Sequence, residues 1–129
     1  MKWEEAKDIK DKIKKIITSL SLDYINADYI VTFRSFGSKS RARARIWSLP
    51  RVWQQALGVP AHYVIEVLAE RFDRLSEDDK ERVIIHELLH IPKNFSGSLI
   101  PHRGRYHRID NRLVEKLYKQ YKYVSCSSR

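Results

Sequence analysis

Residues 86–90 read His-Glu-Leu-Leu-His, and they lie inside a run that must pack into a core. That combination restricts the fold more than any other feature of the chain. On an α-helix, residues four positions apart leave the same face one turn apart, so His86 and His90 can grip one metal ion. Glu87 follows the first histidine, where its carboxylate can reach a water on that metal without being a ligand itself. The flanks say that the helix is buried. Ser76 is a natural N-cap, and Glu77, Asp78 and Asp79 place negative charge at the positive end of the helix dipole. Val83, Ile84, Ile85, Leu88 and Leu89 surround the helix with apolar side chains, and Pro92 stops it just past the second histidine. The spacing predicts a helix over 76–91. Two imidazoles and a carboxylate in such a helix are costly unless something satisfies them, and a metal does. An ordinary buried helix that carries two histidines by chance has no such compensation.

A chain of 129 residues suits one domain with a modest core, so residues 1–129 are expected to form a single unit with a frayed tail at 125–129. No run approaches the length of a membrane span, and no N-terminal signal pattern is seen. Cys126 is the sole cysteine, which excludes an internal disulfide and points to a reducing, cytoplasmic location. The net charge of +9 is concentrated in two places. Residues 34–51 hold Arg34, Lys39, Arg41, Arg43, Arg45 and Arg51 with no acid, and residues 103–129 hold eight basic residues against Asp110 and Glu115. Such blocks suit a nucleic acid or another acidic partner, although no recognisable binding motif accompanies them, and they also suit a solvated face.

Trp3, Ala6, Ile9, Ile13, Ile16, Ile17 and Leu20 share one helical stripe, which predicts an N-terminal helix beginning near Trp3. The period then changes to two. The runs 29–34 and 41–47, on either side of Gly37-Ser38-Lys39-Ser40, read as a β-hairpin, with Arg41, Arg43 and Arg45 on one face of its second strand. A short helix is expected from Pro50 to Leu57, ended by Gly58. His62 to Leu68 is the strongest strand signal, and His62 itself reads as structural or exposed. Ile109, Leu113, Val114, Leu117, Tyr121 and Val124 mark a last helix. Helix, hairpin, short helix, strand, metal helix, loop and helix together make a compact α+β domain.

A catalytic zinc takes three protein ligands and leaves the fourth position to water. Three residues compete for the third place. His102 stands on a loop bracketed by Pro101 and Gly104 that can fold back over the helix, His107 lies near the start of the last helix, and Glu115 lies within it. His102 is favoured, because Glu115 falls on the polar side of the helical stripe. The ligand set expected is therefore His86, His90 and His102, with one Zn2+ per chain and Glu87 as general base.

Particular residues carry a family resemblance. His86-Glu87-Leu88-Leu89-His90-Ile91-Pro92, Phe95-Ser96-Gly97, Pro101-His102 and Val114-Glu115-Lys116-Leu117-Tyr118 resemble the phage-type metallopeptidase family. Trp47-Ser48-Leu49-Pro50 and the strand at Tyr63–Val67 extend the likeness to roughly residues 45–118. The resemblance implies a zincin-like fold and a metal site. The last part is also similar to SprT-like proteases, which place a third histidine after a loop and an aromatic four residues later, as His102 and Tyr106 stand here. Their glycine follows the histidine directly, whereas Arg103 precedes Gly104 here, so the ligand choice stays open. The function expected is hydrolysis of peptide bonds in a peptide or protein substrate, with no membrane partner. Tyr106, His107, Arg103 and Arg105 are candidates to stabilise the oxyanion, and the Tyr63–Val67 strand is a candidate to align substrate by edge pairing. Two rivals remain: a non-catalytic or DNA-associated metal-binding module that uses 34–51 and 103–129, and a zinc hydrolase for a non-peptide amide.

Overall fold

Alternating polarity locates strands but does not name their neighbours, and the sheet of this protein turns on that difference. In a computed structural model, residues 1–102 and 109–127 are described. Their elements run β1 (Lys2–Glu5), α1 (Lys7–Ser19), β2 (Ile30–Phe36), β3 (Ala44–Ser48), α2 (Arg51–Leu57), β4 (Tyr63–Leu68), α3 (Ala69–Phe72), α4 (Glu77–Leu88) and α5 (Asn111–Ser127). A short 3-10 turn at Ala27–Tyr29 leads into β2. The strand order is β1-β2-β4-β3, with β2 and β4 parallel and the two outer strands antiparallel to their neighbours. This α+β arrangement, a small mixed sheet with helices, is compatible with a compact zincin-like domain.

The expected hairpin is therefore corrected: β2 and β3 are not neighbours, because β4 lies between them. Burial decides the order. All of β4 except Val64 is buried, so it takes the centre, whereas β3 carries Arg45 and Trp47 and takes an edge. The Gly37–Ser40 segment is not a tight turn but the start of a longer connection tied to the far end of β4. Leu68 donates its N–H to the Arg43 carbonyl at 3.0 Å, and the Gly37 N–H bonds the Glu70 carboxylate. The expected substrate-aligning role of Tyr63–Val67 falls with the hairpin, since a strand paired on both sides has no free edge.

The N-terminus also differs. Residues 2–5 form β1 rather than the first turn of α1, with Trp3 opposite Ser35 and edge-on to Phe33 at 6.3 Å. The helical stripe begins in earnest at Ile9, Ile13 and Ile16, all buried against the sheet. At the other end α5 runs to Ser127.

By strand alternation Ile30, Tyr63, Ile65 and Val67 share the face that packs with α1, α4 and α5. Ile84, Ile85, Leu88, Val114 and Tyr121 complete this core from the helices. Each large apolar side chain so buried contributes roughly 1.5–3 kcal/mol against the entropy of ordering the chain. Arg34, first of the 34–51 basic run, belongs to this frame: its guanidinium forks onto Asp8 of α1 and Asp73 beyond α3 at 3.0–3.2 Å.

The opposite face of the sheet holds a buried charge. Glu66 is fully inaccessible, and its carboxylate accepts from Arg45 Nε at 2.7 Å and Trp47 Nε1 at 2.9 Å. Burial alone pushes the Glu66 carboxyl up, but Arg45 and Trp47 outweigh it and hold the carboxyl below its ordinary value. A lowered folded value means stability that is full above the ordinary carboxylate range and is lost as pH falls through the folded value. Glu66→Ala is expected to cost about 2–4 kcal/mol at neutral pH, because it strands a half-buried guanidinium. Melting curves across the acid range check this. A variant as stable as the parent would show that the pair contributes nothing.

Candidate metal centre

Helix α4 starts as its sequence requires. Ser76 Oγ accepts from the Asp79 N–H at 3.1 Å, and three acids occupy the first turn. Arg82 then locks α4 to α5, with Asp79 at 2.9 Å, Glu115 at 2.9 Å and the Tyr118 ring beneath it at 4.1 Å. With Ile84, Ile85 and Leu88 buried in the core, His86 and Glu87 are left on the wall of a cleft of about 750 Å³. The helix ends at Leu88, and the His90 N–H closes a tighter turn on the Glu87 carbonyl at 3.1 Å, which keeps His90 beside His86.

His102 joins them. One ring nitrogen from each of His86, His90 and His102 lies within 4.8 Å of the others, and the three can hold a metal ion. His86 Nε2 and His102 Nε2 are 2.9 Å apart, two nitrogens that face one another favourably only with a proton or a cation between them. His90 donates Nδ1–H to the Ile100 carbonyl at 2.6 Å, which fixes its tautomer and leaves Nε2 as an acceptor free for a metal. Burial, together with the neighbouring His90 and His102, pushes His86 down to about 4. His90 is also lowered by burial and by His102, against the pull of its carbonyl partner. Both rings are thus neutral at physiological pH, the form that ligates. The donor chemistry fits a metal.

Glu87 lies beside these rings at 8% exposure, and burial pushes its carboxyl up to about 7. Among the described residues nothing hydrogen-bonds that carboxylate. A buried carboxyl left without a partner in a cleft is a group awaiting one. Glu115, the third contender for the metal, also borders the cleft, but its carboxylate is committed to Arg82 and stands outside the histidine cluster. His107 lies outside the described residues, as do Arg103, Arg105 and Tyr106. His62 stands apart, its Nδ1 against the Pro60 carbonyl at 2.8 Å and its ring against Tyr29.

The loop that delivers His102 is held by residues that sequence reading missed. Tyr63 Oη donates to the Ser98 carbonyl at 2.7 Å and accepts from the Gly97 N–H at 2.9 Å. Gln54 Nε2 donates to the carbonyls of Leu49 and Ser96, both at 2.8 Å. Gly97 has φ +95°, and a Cβ there would lie 2.5 Å from the Leu49 oxygen, so only glycine lets the loop approach α2 this closely. The Ile100 N–H closes the loop on the His90 carbonyl at 2.7 Å. Nothing local in the sequence signals these contacts, because Tyr63 and Gln54 act across 34 and 42 residues. Tyr63→Phe strands a buried N–H and a carbonyl, so it is expected to cost about 1–3 kcal/mol and to weaken metal binding roughly tenfold. Calorimetric zinc titration of the variant checks the second effect, and unchanged affinity would show that the loop holds its shape without the hydroxyl.

A family model described as "Putative phage metallopeptidase" matches residues 1–122. No curated protein and no solved structure matches the chain.

Proposed function

Given that the chain belongs to this phage metallopeptidase family, we propose that it is a zinc-dependent peptidase whose ligands are His86, His90 and His102 and whose general base is Glu87. The observation that carries the reading is the convergence on a single cleft of three histidines and one buried glutamate that has no hydrogen-bond partner among the described residues. Three imidazole donors with one open side suit zinc above the oxygen-seeking cations. When bound there, zinc supplies a Lewis acid that polarises a carbonyl and brings the pKa of water to about 7.

The protein's own groups do the rest. The carbonyl of Ile100 orients the His90 ring, and the α4 backbone holds His86 one turn away. Glu87, with a carboxyl raised to about 7, takes the proton from the water that attacks the scissile carbonyl and passes it to the leaving amine. Strand β3 replaces β4 as the element that aligns substrate. Among the described strands it pairs only with β4, and Ala44, Arg45 and Ile46 border the cleft, so an extended peptide can add to its open edge. No helix among the described residues is long and apolar enough to cross a membrane. With the sole cysteine exposed and unpaired, we place the protein in the cytoplasm.

The test is elemental analysis of untagged protein, followed by peptide hydrolysis with and without a chelator. One zinc per chain and activity that returns with added zinc are expected. Protein that neither carries nor takes up a metal would sink the reading.

A further inference from the structure

The cleft wall that faces the histidines is made by the segment leading into β3, and its charge is not balanced. Arg41, Arg43, Arg45 and Arg82 border the cleft, as do the acids Asp79, Glu87 and Glu115. Arg82 takes both Asp79 and Glu115. Arg45 is neutralised by Glu66 on the neighbouring strand. Arg41 and Arg43 are left, both exposed, and neither forms an ion pair among the described residues. Residues 103–108, Arg-Gly-Arg-Tyr-His-Arg, contain no carboxylate side chain.

The segment itself is well anchored. Ser38 and Ser40 each accept the N–H two residues on, at 3.2 Å, and the Arg43 carbonyl is bonded to β4. Ala42 and Ala44 separate the arginines, so small side chains leave room for a chain to lie against this wall. Two guanidinium groups carried on an anchored backbone at a cleft rim, with no ion-pair partner among the described residues, concentrate positive potential where a substrate enters. Their planar forks match carboxylates in bidentate fashion.

We propose that Arg41 and Arg43 form a subsite for acidic side chains, so that the cleft selects peptides carrying Glu or Asp beside the bond presented to the histidines. This rests on the reading of the cleft as a peptide-binding site. Of the six cations in the 34–51 run, Arg34 and Arg45 are spent inside the fold, and Arg41 and Arg43, without an ion pair among the described residues, border the cleft together with the histidines. That placement favours a substrate over a nucleic acid spread along the whole run.

The experiment measures binding rather than turnover. Short fluorescent alanine-based peptides bearing Glu, Gln or Lys at matched positions are titrated into zinc-loaded Glu87→Gln protein, at low and at physiological salt. The Glu peptide is expected to bind about 10-fold more tightly than the Gln peptide, with the Lys peptide weakest. An R41E/R43E double variant is expected to invert that order while melting like its parent, since both side chains are exposed. Equal binding of the three peptides, no binding of any, or a Glu preference that survives R41E/R43E overturns the proposal. So does a single-stranded oligonucleotide that outcompetes the Glu peptide and is itself lost in R41E/R43E, which would reassign the arginines to nucleic acid. Cleavage of neutral peptides as fast as acidic ones by the parent protein sinks this proposal and leaves the peptidase standing. A Glu preference in binding with no cleavage of any peptide does the reverse.

Discussion

Glu87→Gln is expected to abolish peptide hydrolysis while the protein still binds one zinc per chain. The amide keeps the shape of the carboxyl but accepts no proton, and loss of a positioned general base lowers rate by about 10²–10⁴-fold. The histidines that hold the metal are untouched, so elemental analysis of the variant should match the parent. A second readout is independent of activity. In the metal-free protein the Glu87 carboxyl is raised to about 7 by burial, above its value in the unfolded chain. The folded state therefore binds more protons between those two values, and stability falls as pH rises through that window. Glutamine removes this loss. At mildly alkaline pH the metal-free variant should be more stable than the parent by up to about 3 kcal/mol, and the two should converge under acid conditions. His86, lowered to about 4, titrates with the opposite sign, but it is present in both proteins and cancels in the comparison. Turnover retained by the variant would remove Glu87 from the chemistry, whatever its pKa.

The second large effect concerns His102. Zinc that binds the folded chain and not the unfolded one stabilises it by about 4 kcal/mol when present at roughly 1,000 times its dissociation constant. For a chain of this size that raises the melting temperature by roughly 10 °C or more. His102→Ala takes away one of three donors on an exposed side chain, so the metal-free variant should melt within about 0.5 kcal/mol of the parent. The zinc-induced rise should largely vanish. Differential scanning calorimetry of both proteins, with and without zinc, separates the outcomes. A variant that keeps the full rise would hand the third place to another residue, and His107→Ala would be the next protein to melt.

The metal helix was legible because its signals are local. Ser76, the acids of the first turn and His86 act within one helix, which runs to Leu88 rather than to the expected 91, and His90 follows in a tighter turn that still keeps it beside His86. The same holds for α2, which runs Arg51–Leu57 and ends on Gly58 in the left-handed region. Expectation failed where a period had to stand in for a partner. The stripe from Trp3 ran without a break into Ile9, yet residues 2–5 were captured by the open edge of β2. The alternation at 29–34 and 41–47 marked two real strands, and the short Gly-Ser spacer suggested a hairpin that β4 displaced. Arg41, Arg43 and Arg45 looked equivalent along the chain. Only the position of Glu66, across one strand pair from Arg45, separates the neutralised arginine from the other two.

By itself the sequence determined that a buried helix carries His86 and Glu87 and that a second histidine follows four residues after the first, whereas the tighter turn past Leu88 is what sets His90 beside His86. The tertiary structure alone decided which strand borders the cleft, which side chains hold the His102 loop, and which cations remain unpaired. Tyr63 with Gly97 and Ser98, Gln54 with Ser96, and Arg34 with Asp8 and Asp73 are contacts between residues far apart in the chain. Such pairs form only when the sheet order has closed the distance, and a one-dimensional pattern carries no record of that order.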